Sequence, residues 1–407
     1  SSINGMDNFV VKYDHFGTYL WDYTWGSDSD ENYRYVRTDS TGNVYLGGSF
    51  DGATDFDGAG PTPPIPNNVR EDAFIMQLNA DGAFQWVRTF GSIAGTKEAE
   101  VAKSLSADDT GVYLAGFFRS QGLKFAPTDP NFWGGSIAAA FIVKLLPNGD
   151  FAWSHCFDGG DHDEMRGIAS DGNGGLLAIC DFYSDSIDFG GGLRFNTDTG
   201  GTTDDMDLIR LDAATGAYVT DVHFTGSDIE QPHSLAANAS YVALVGQTES
   251  FNLDLGDGPL PHFGGSDTYW GRFDAITLAH QFSGEVGSDA YDPGFGAAVD
   301  PSGAVYVCGL FQGATDFGFG PLSPVASQDG FLLKIDPTGA PAWVHTWGAS
   351  VDFVRASAVA CDATSVTVVG TSGVGGPIDY EIGAPVFPLA GDGICGSVIR
   401  DLASGTW

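Results

Sequence analysis

The hydrophobic pattern along this chain is short-ranged, and residues 329–370 show it best. Apolar or aromatic runs at 331–335, 342–347, 356–361 and 366–369 are separated by polar turns, DPTG at 336–339 and DAT at 362–364. β-Branched and aromatic runs this short, bounded by Gly, Pro or Asp, predict strands rather than helices. In the first turn Pro presets φ and Gly supplies a left-handed residue. The same unit recurs throughout. An outer hairpin reading D-x-F-x-x-K, a turn with Gly, then W-x-x-x-[WF]-G starts near residues 7, 72, 139, 205, 267 and 329, with a degraded copy near 392. The spacing, roughly 62 to 67 residues, is that of a propeller blade.

Between successive outer hairpins lies an inner one, beginning near Tyr33, Glu100, Met165, Pro232, Gly294 and Arg355. It closes on Gly48, Gly116, Gly246, Gly309 and Gly370, with Asp181 the exception. Its first strand favours Ala, Ser and Gly, which suits the crowded innermost strand of a blade. The bulky Trp21, Trp86, Trp153 and Trp343 fall in the outer hairpins, where they can wedge between neighbouring sheets. One antiparallel blade cannot bury both faces alone, so each needs two neighbours and a closed ring supplies them. The expected fold is all-β: a single β-propeller domain over 1–407, of six four-stranded blades closed by the N- and C-terminal segments. Seven outer hairpins compete for six places, so seven blades is the alternative.

Composition changes the picture mainly through charge. Seventeen Lys and Arg face 53 Asp and Glu, a formal charge of -36. Such a chain repels phosphate backbones and anionic lipid, so no nucleic-acid partner is expected. No run of 18 apolar residues is present, so no membrane insertion is expected either. At 43% the hydrophobic content is too high for an acidic disordered chain. The five cysteines have no C-x-x-C spacing, and Cys156, Cys180, Cys308 and Cys361 sit in apolar strands as small core residues. One disulfide remains possible. The start of the chain shows no signal-peptide pattern, which does not argue for the cytoplasm.

The set D-x-F-x-x-K-x-D-x-x-G-x-x-x-W, G-x-A-V-D-x-x-G-x-V-Y-V-x-G and T-D-F, best matched at 329–348, 296–309 and 315–317, resembles the bacterial SBBP-type β-propeller repeats. The resemblance covers nearly the whole chain. The copies from 205 to 282 depart from it, with Asp207 in place of Phe and no Trp. It implies a secreted or cell-surface bacterial protein that serves as a binding or scaffold module, with no shared reaction.

Connectors of about twenty residues join the inner hairpins to the outer ones, lengths that in compact domains often carry function. Their rim is the expected binding face, for a protein or glycan partner. Each carries an acidic–aromatic step, Asp55-Phe56, Asp188-Phe189 and Asp316-Phe317, with Asp254-Leu255 and Asp379-Tyr380 as variants and Lys124-Phe125 as the deviant. Repetition around the chain argues for structure: an aromatic plug and a turn-capping Asp. Asp55 and Asp57 have a passing likeness to a calcium loop, without its twelve-residue pattern or terminal Glu; calcium is the one ion considered, and no cofactor is otherwise expected. The links between blades are acidic too. Asp30, Glu31, Asp163, Glu164, Asp292 and Asp352 are the ligand candidates of an acidic rim, either solvated turn caps or a funnel for a cation. Trp133, beside Gly134, can present a flat face to a sugar ring or pack over a blade.

No catalytic residue is assigned. His155 and His345 share a repeat position, and His162 and His262 lack a second His at ligand spacing. G-x-S-x-G, H-E-x-x-H and the phosphate-binding G-x-x-x-x-G-K-[ST] are absent. The alternative to a binding module is a polysaccharide hydrolase or lyase, for which His162, Asp163 and Glu164 are the nearest approach to the two carboxyls required.

Overall fold

A computed structural model describes residues 8–14, 18–26, 32–57, 71–91, 99–131, 133–134, 137–197, 203–325, 327–349, 353–373, 378–379 and 393–399. The chain divides into two compact units, Ser1–Ser170 with Ser184–Phe195 and Asp212–Tyr218, and Asp171–Tyr183 with Asn196–Leu211 and Val219–Trp407.

The first unit begins with β1 (Asn8–Tyr13) and β2 (Tyr19–Trp25), an antiparallel pair. Strands β3 (Asn32–Thr38), β4 (Val44–Phe50), β5 (Asp72–Leu78) and β6 (Phe84–Phe90) form a four-stranded antiparallel sheet in chain order. The next sheet repeats it with β7 (Glu100–Asp108), β8 (Gly111–Phe118), β11 (Ala139–Leu145) and β12 (Phe151–Phe157), while β9 (Gln121–Leu123) and β10 (Trp133–Gly134) pair within the connector. Next comes β13 (Asp163–Ser170), packed on β7 and β8. After β14 (Gly175–Phe182) of the second unit, the ribbon β15 (Ser186–Asp188) and β16 (Leu193–Phe195) returns to the first.

The second unit continues with β17 (Asp205–Asp212) and β18 (Tyr218–Phe224), except for their end residues Asp212 and Tyr218, which belong to the first. A full sheet follows: β19 (Glu230–Ala237), β20 (Tyr241–Thr248), β21 (Asp267–Asp274) and β22 (His280–Val286). In the next, β23 (Gly294–Val299), β24 (Val305–Phe311), β27 (Asp329–Ile335) and β28 (Pro341–Ala349) surround the ribbon β25 (Thr315–Asp316) and β26 (Pro321–Leu322). Finally β29 (Val354–Cys361) pairs with β30 (Val366–Ser372) and β30 with β32 (Gly393–Ile399), and β31 (Ile378–Asp379) edges onto β28.

Within each unit first strands stack on first strands, β7 on β3 and β23 on β19. This meander, repeated and stacked, is the blade of a β-propeller, and the chain has that fold. Among the described residues no helix is long and apolar enough to cross a membrane.

The small residues of the first strands have a specific use. The register slips there in five inner hairpins, between Asn32/Arg34, Ala102/Ser104, Pro232/Ser234, Gly294/Gly296 and Ala356/Ala358. A bulge leaves ladder groups unpaired. Serines of the neighbouring blade reach across to these first strands: Ile168 N donates to Ser104 Oγ at 3.1 Å and Ala297 N to Ser234 Oγ at 3.1 Å.

The tryptophans lie where bulk predicts, and they also latch. The indole N–H of Trp21 donates to Ala80 O (3.1 Å), that of Trp86 to Pro147 O (3.1 Å) and that of Trp153 to Ala213 O (3.3 Å), each carbonyl in the outer turn of the next blade. Each ring lies on the positive-φ glycine of that turn, Gly82, Gly149 and Gly216, where a Cβ would collide with it. The connector aromatics are the expected plugs. Phe56 packs at 4.9 Å from Phe74, Phe125 at 5.2 Å from Phe141 and Phe317 at 5.0 Å from Phe331, ring centre to ring centre. Their acidic neighbours cap turns: Asp188 accepts from the N–H groups of Gly190 and Gly192, and Asp316 from those of Gly318 and Gly320.

Candidate functional site

Of the acidic links, the described ligand candidates Asp163, Glu164 and Asp292 are buried, whereas Asp228 and Asp289 are exposed. Asp30, Glu31 and Asp352 lie outside the described residues. Asp163 and Asp292 begin or precede first strands and are buried. Asp163 accepts from Gly159 N (2.7 Å) and Ser184 Oγ (2.9 Å), joining the link before its strand to the connector after the hairpin. Burial pushes its carboxyl up to about 6 against those hydrogen bonds. Asp292 makes the same clasp with Ser288 Oγ and Gln312 N. Glu230, at the matching place, holds Ser250 Oγ. Asp163 and Asp292 thus accept from local backbone and hydroxyl donors, while Glu230 Oε2 is buried without a hydrogen-bond partner.

Glu164, also buried, is ion-paired with Arg166 (3.0 Å) and Lys103 (3.5 Å), and His162 Nε2 lies 3.4 Å from it. Adjacent residues in a strand point to opposite faces. Asp163 and Glu164 therefore do not flank a common substrate, and the pairing a glycosidase needs is not formed by them. Asp55 and Asp57 gather no third His, Cys or acidic ligand among the described residues.

Trp133 is placed in a cleft. The ribbon β9–β10 sets it opposite the ribbon β15–β16, over a floor of Phe118, Ala139, Cys156 and Phe157. The cleft has a volume of about 440 Å3. Ser186, Asp158 and Asp188 supply its polar groups. The indole is half-buried and held: its N–H donates to Ser154 Oγ (3.3 Å), which donates to Asp129 Oδ2 (2.9 Å). Trp133 packs on the blade core and also lines an open cavity. The opposing ribbon lies more than fifty residues away, beyond the reach of local pattern.

A second constellation lies in the second unit. Three atoms from His262, Asp267 and Glu285 fall within 4.8 Å of one another, with His262 Nδ1 3.4 Å from Asp267 Oδ2. Phe263 N donates to that same oxygen. Asp267 and Glu285 are buried; Asp267 Oδ1 and both Glu285 oxygens accept no hydrogen bond from a protein donor. Burial first, and then their mutual repulsion, raises the Glu285 carboxyl strongly; burial raises Asp267 as well. Sequence spacing missed this group because its members are a loop His and two acids on different strands. The available signal was positional: Glu285 occupies the place held by Thr24, Thr89, Cys156, His223 and Thr346 in the other outer hairpins.

His223 shows what that place does elsewhere. Its Nδ1 lies 2.9 Å from Asp207 Oδ2 and its Nε2 3.5 Å from Asp205 Oδ2. Burial opposes its charge, but hydrogen bonds and attraction from both carboxylates prevail and push it up to about 9. Asp207, the departure from the repeat pattern, is thus half of an ion pair that replaces the usual Phe–Thr contact.

No family model matches the chain. It is similar to an uncharacterised WD repeat-containing protein of Acanthamoeba polyphaga mimivirus, 29% identical over 131 residues, which covers 30% of this chain and 9% of that protein. Among solved structures it is similar to the Neurospora crassa Pan2 WD40 domain, with 10% identity, TM-score 0.43, and 84% of this chain and 75% of that one covered. It is also similar to the quinohemoprotein alcohol dehydrogenase of Comamonas testosteroni, with 12% identity, TM-score 0.40, and 96% and 63% covered. The propeller assignment rests on this chain's own repeating sheets.

Proposed function

We propose that this chain is a non-catalytic binding module, secreted or displayed at a bacterial cell surface, whose cleft at Trp133 takes a neutral glycan. The observation that carries the reading is the cleft itself. A pre-held indole, an apolar floor and a few hydroxyl and carboxylate acceptors are the means by which a sugar ring is stacked and its hydroxyl groups are met. The acidic composition and the resemblance to SBBP-type repeats favour an extracellular setting. A ring of six blades, closed by the chain ends, is the scaffold this reading supposes.

The test is a glycan array followed by calorimetry on each hit. Trp133→Ala is expected to weaken binding about thirtyfold, the ~2 kcal/mol of an aromatic anchor. Affinity for a neutral sugar should hold between 50 and 500 mM salt, roughly, because no exposed ion pair is being screened. Array hits whose affinity is unchanged in Trp133→Ala would overturn the site, and an absence of hits would overturn the glycan. A ligand lost as salt rises would point instead to a cation on Asp158 and Asp188.

A further inference from the structure

The fifth outer hairpin contains an electrostatic problem that its relatives in the chain avoid. Strands β5, β17, β21 and β27 all begin with a buried Asp: Asp72, Asp205, Asp267 and Asp329. In the first and last of these the fourth strand places Thr89 and Thr346 opposite Phe74 and Phe331, on the face of the Asp and two positions along from it, and they bring no charge. At Asp205 the residue in that place is His223, a cation partner 3.5 Å away. At Asp267 it is Glu285, which adds a second negative charge at a site only 6% exposed. Among the described residues neither carboxylate is met by Lys or Arg, and Asp292 lies near enough to add to the field. Bringing two carboxylates out of water costs several kcal/mol per ion unless a cation or proton answers them.

We propose that His262, Asp267 and Glu285 bind a divalent metal ion of the zinc or manganese class. The ligand types suit such an ion: two carboxylates and one imidazole, with the half-exposed His262 side leaving room for water or a further ligand. The 3.4 Å between His262 Nδ1 and Asp267 Oδ2 matches the edge of a tetrahedron with ligand bonds of about 2.1 Å. The orphaned carboxylate oxygens point the same way, since the fold presents three buried acceptors and no donor. Gly287 allows this crowding, because a Cβ there would collide with Asp267 Oδ1. His262 belongs to the connector between β20 and β21, so the metal would tie this loop to the blade.

The experiment uses the full chain, stripped of metal and titrated calorimetrically with zinc, manganese and calcium chlorides, alongside thermal unfolding with and without each ion. One saturable site is expected for zinc or manganese, at least tenfold tighter than for calcium, with a raised melting temperature. His262→Ala should weaken it at least tenfold. Glu285→Thr, which restores the residue of three sister hairpins and so should fold, is expected to abolish it. Binding that survives in Glu285→Thr would be surface chelation and would overturn the proposal. So would a tighter site for calcium, indifferent to His262→Ala. If the wild type gains nothing from any metal while Glu285→Thr is the more stable protein, the acids share a proton instead and the proposal fails. None of these readouts depends on the Trp133 cleft.

Discussion

At the scale of single residues, charge inside the blades is handled case by case, and His223 offers the sharpest test. Its folded value of about 9 lies above the ~6.5 of an unfolded imidazole. Stabilisation from its protonated form is therefore complete below about pH 6.5 and is lost as pH rises through 9. Thermal unfolding followed from pH 6 to 9.5, roughly, should show stability declining across that window. His223→Gln should be less stable at pH 6.5, by about 2 kcal/mol once partial exposure is discounted, because it leaves Asp205 and Asp207 uncompensated. It should also lose most of the slope. A wild type with no decline, or a variant that keeps it, would show that His223 is not the titrating group.

At the scale of elements, the outer hairpin is latched to the next blade through its turn. Trp86 stands on Gly149, whose φ is +80, and donates to Pro147 O. Trp86→Ala should cost about 3 kcal/mol in chemical denaturation, as burial and a hydrogen bond are lost together. Gly149→Ala should cost about 1 kcal/mol or more, since Ala is strained at positive φ and its Cβ meets the indole. The double variant should lose less than the sum, because once the ring is gone only backbone strain remains. Full additivity would show that the two residues do not form one latch.

At the scale of the whole chain, a net charge of -36 must repel itself. With only 17 basic residues, most carboxylates are compensated by hydrogen bonds or solvent rather than by ion pairs. Added monovalent salt screens repulsion beyond about 10 Å at 0.1 M. The melting temperature is accordingly expected to rise by several degrees between about 20 and 500 mM sodium chloride, and to do so equally in Trp133→Ala. A flat or falling response would mean that the native state places its charges in net attraction.

The sequence by itself determined the repeat, its four strands and the jobs of its signature residues. Strand length, turn chemistry and a fixed period are local properties, so Gly149 and Asp316 could be read as turn residues and Trp86 as a wedge without coordinates. It did not determine which acids are exposed. Asp163 and Asp292 look like rim charges in a linear string, but each is folded under a connector whose N–H and hydroxyl groups start roughly twenty residues on. The Trp133 cleft and the His262–Asp267–Glu285 group are likewise tertiary facts. The first joins a connector to a ribbon more than fifty residues away and the second joins a loop to two different strands, contacts set by how strands and loops pack, which no periodicity encodes.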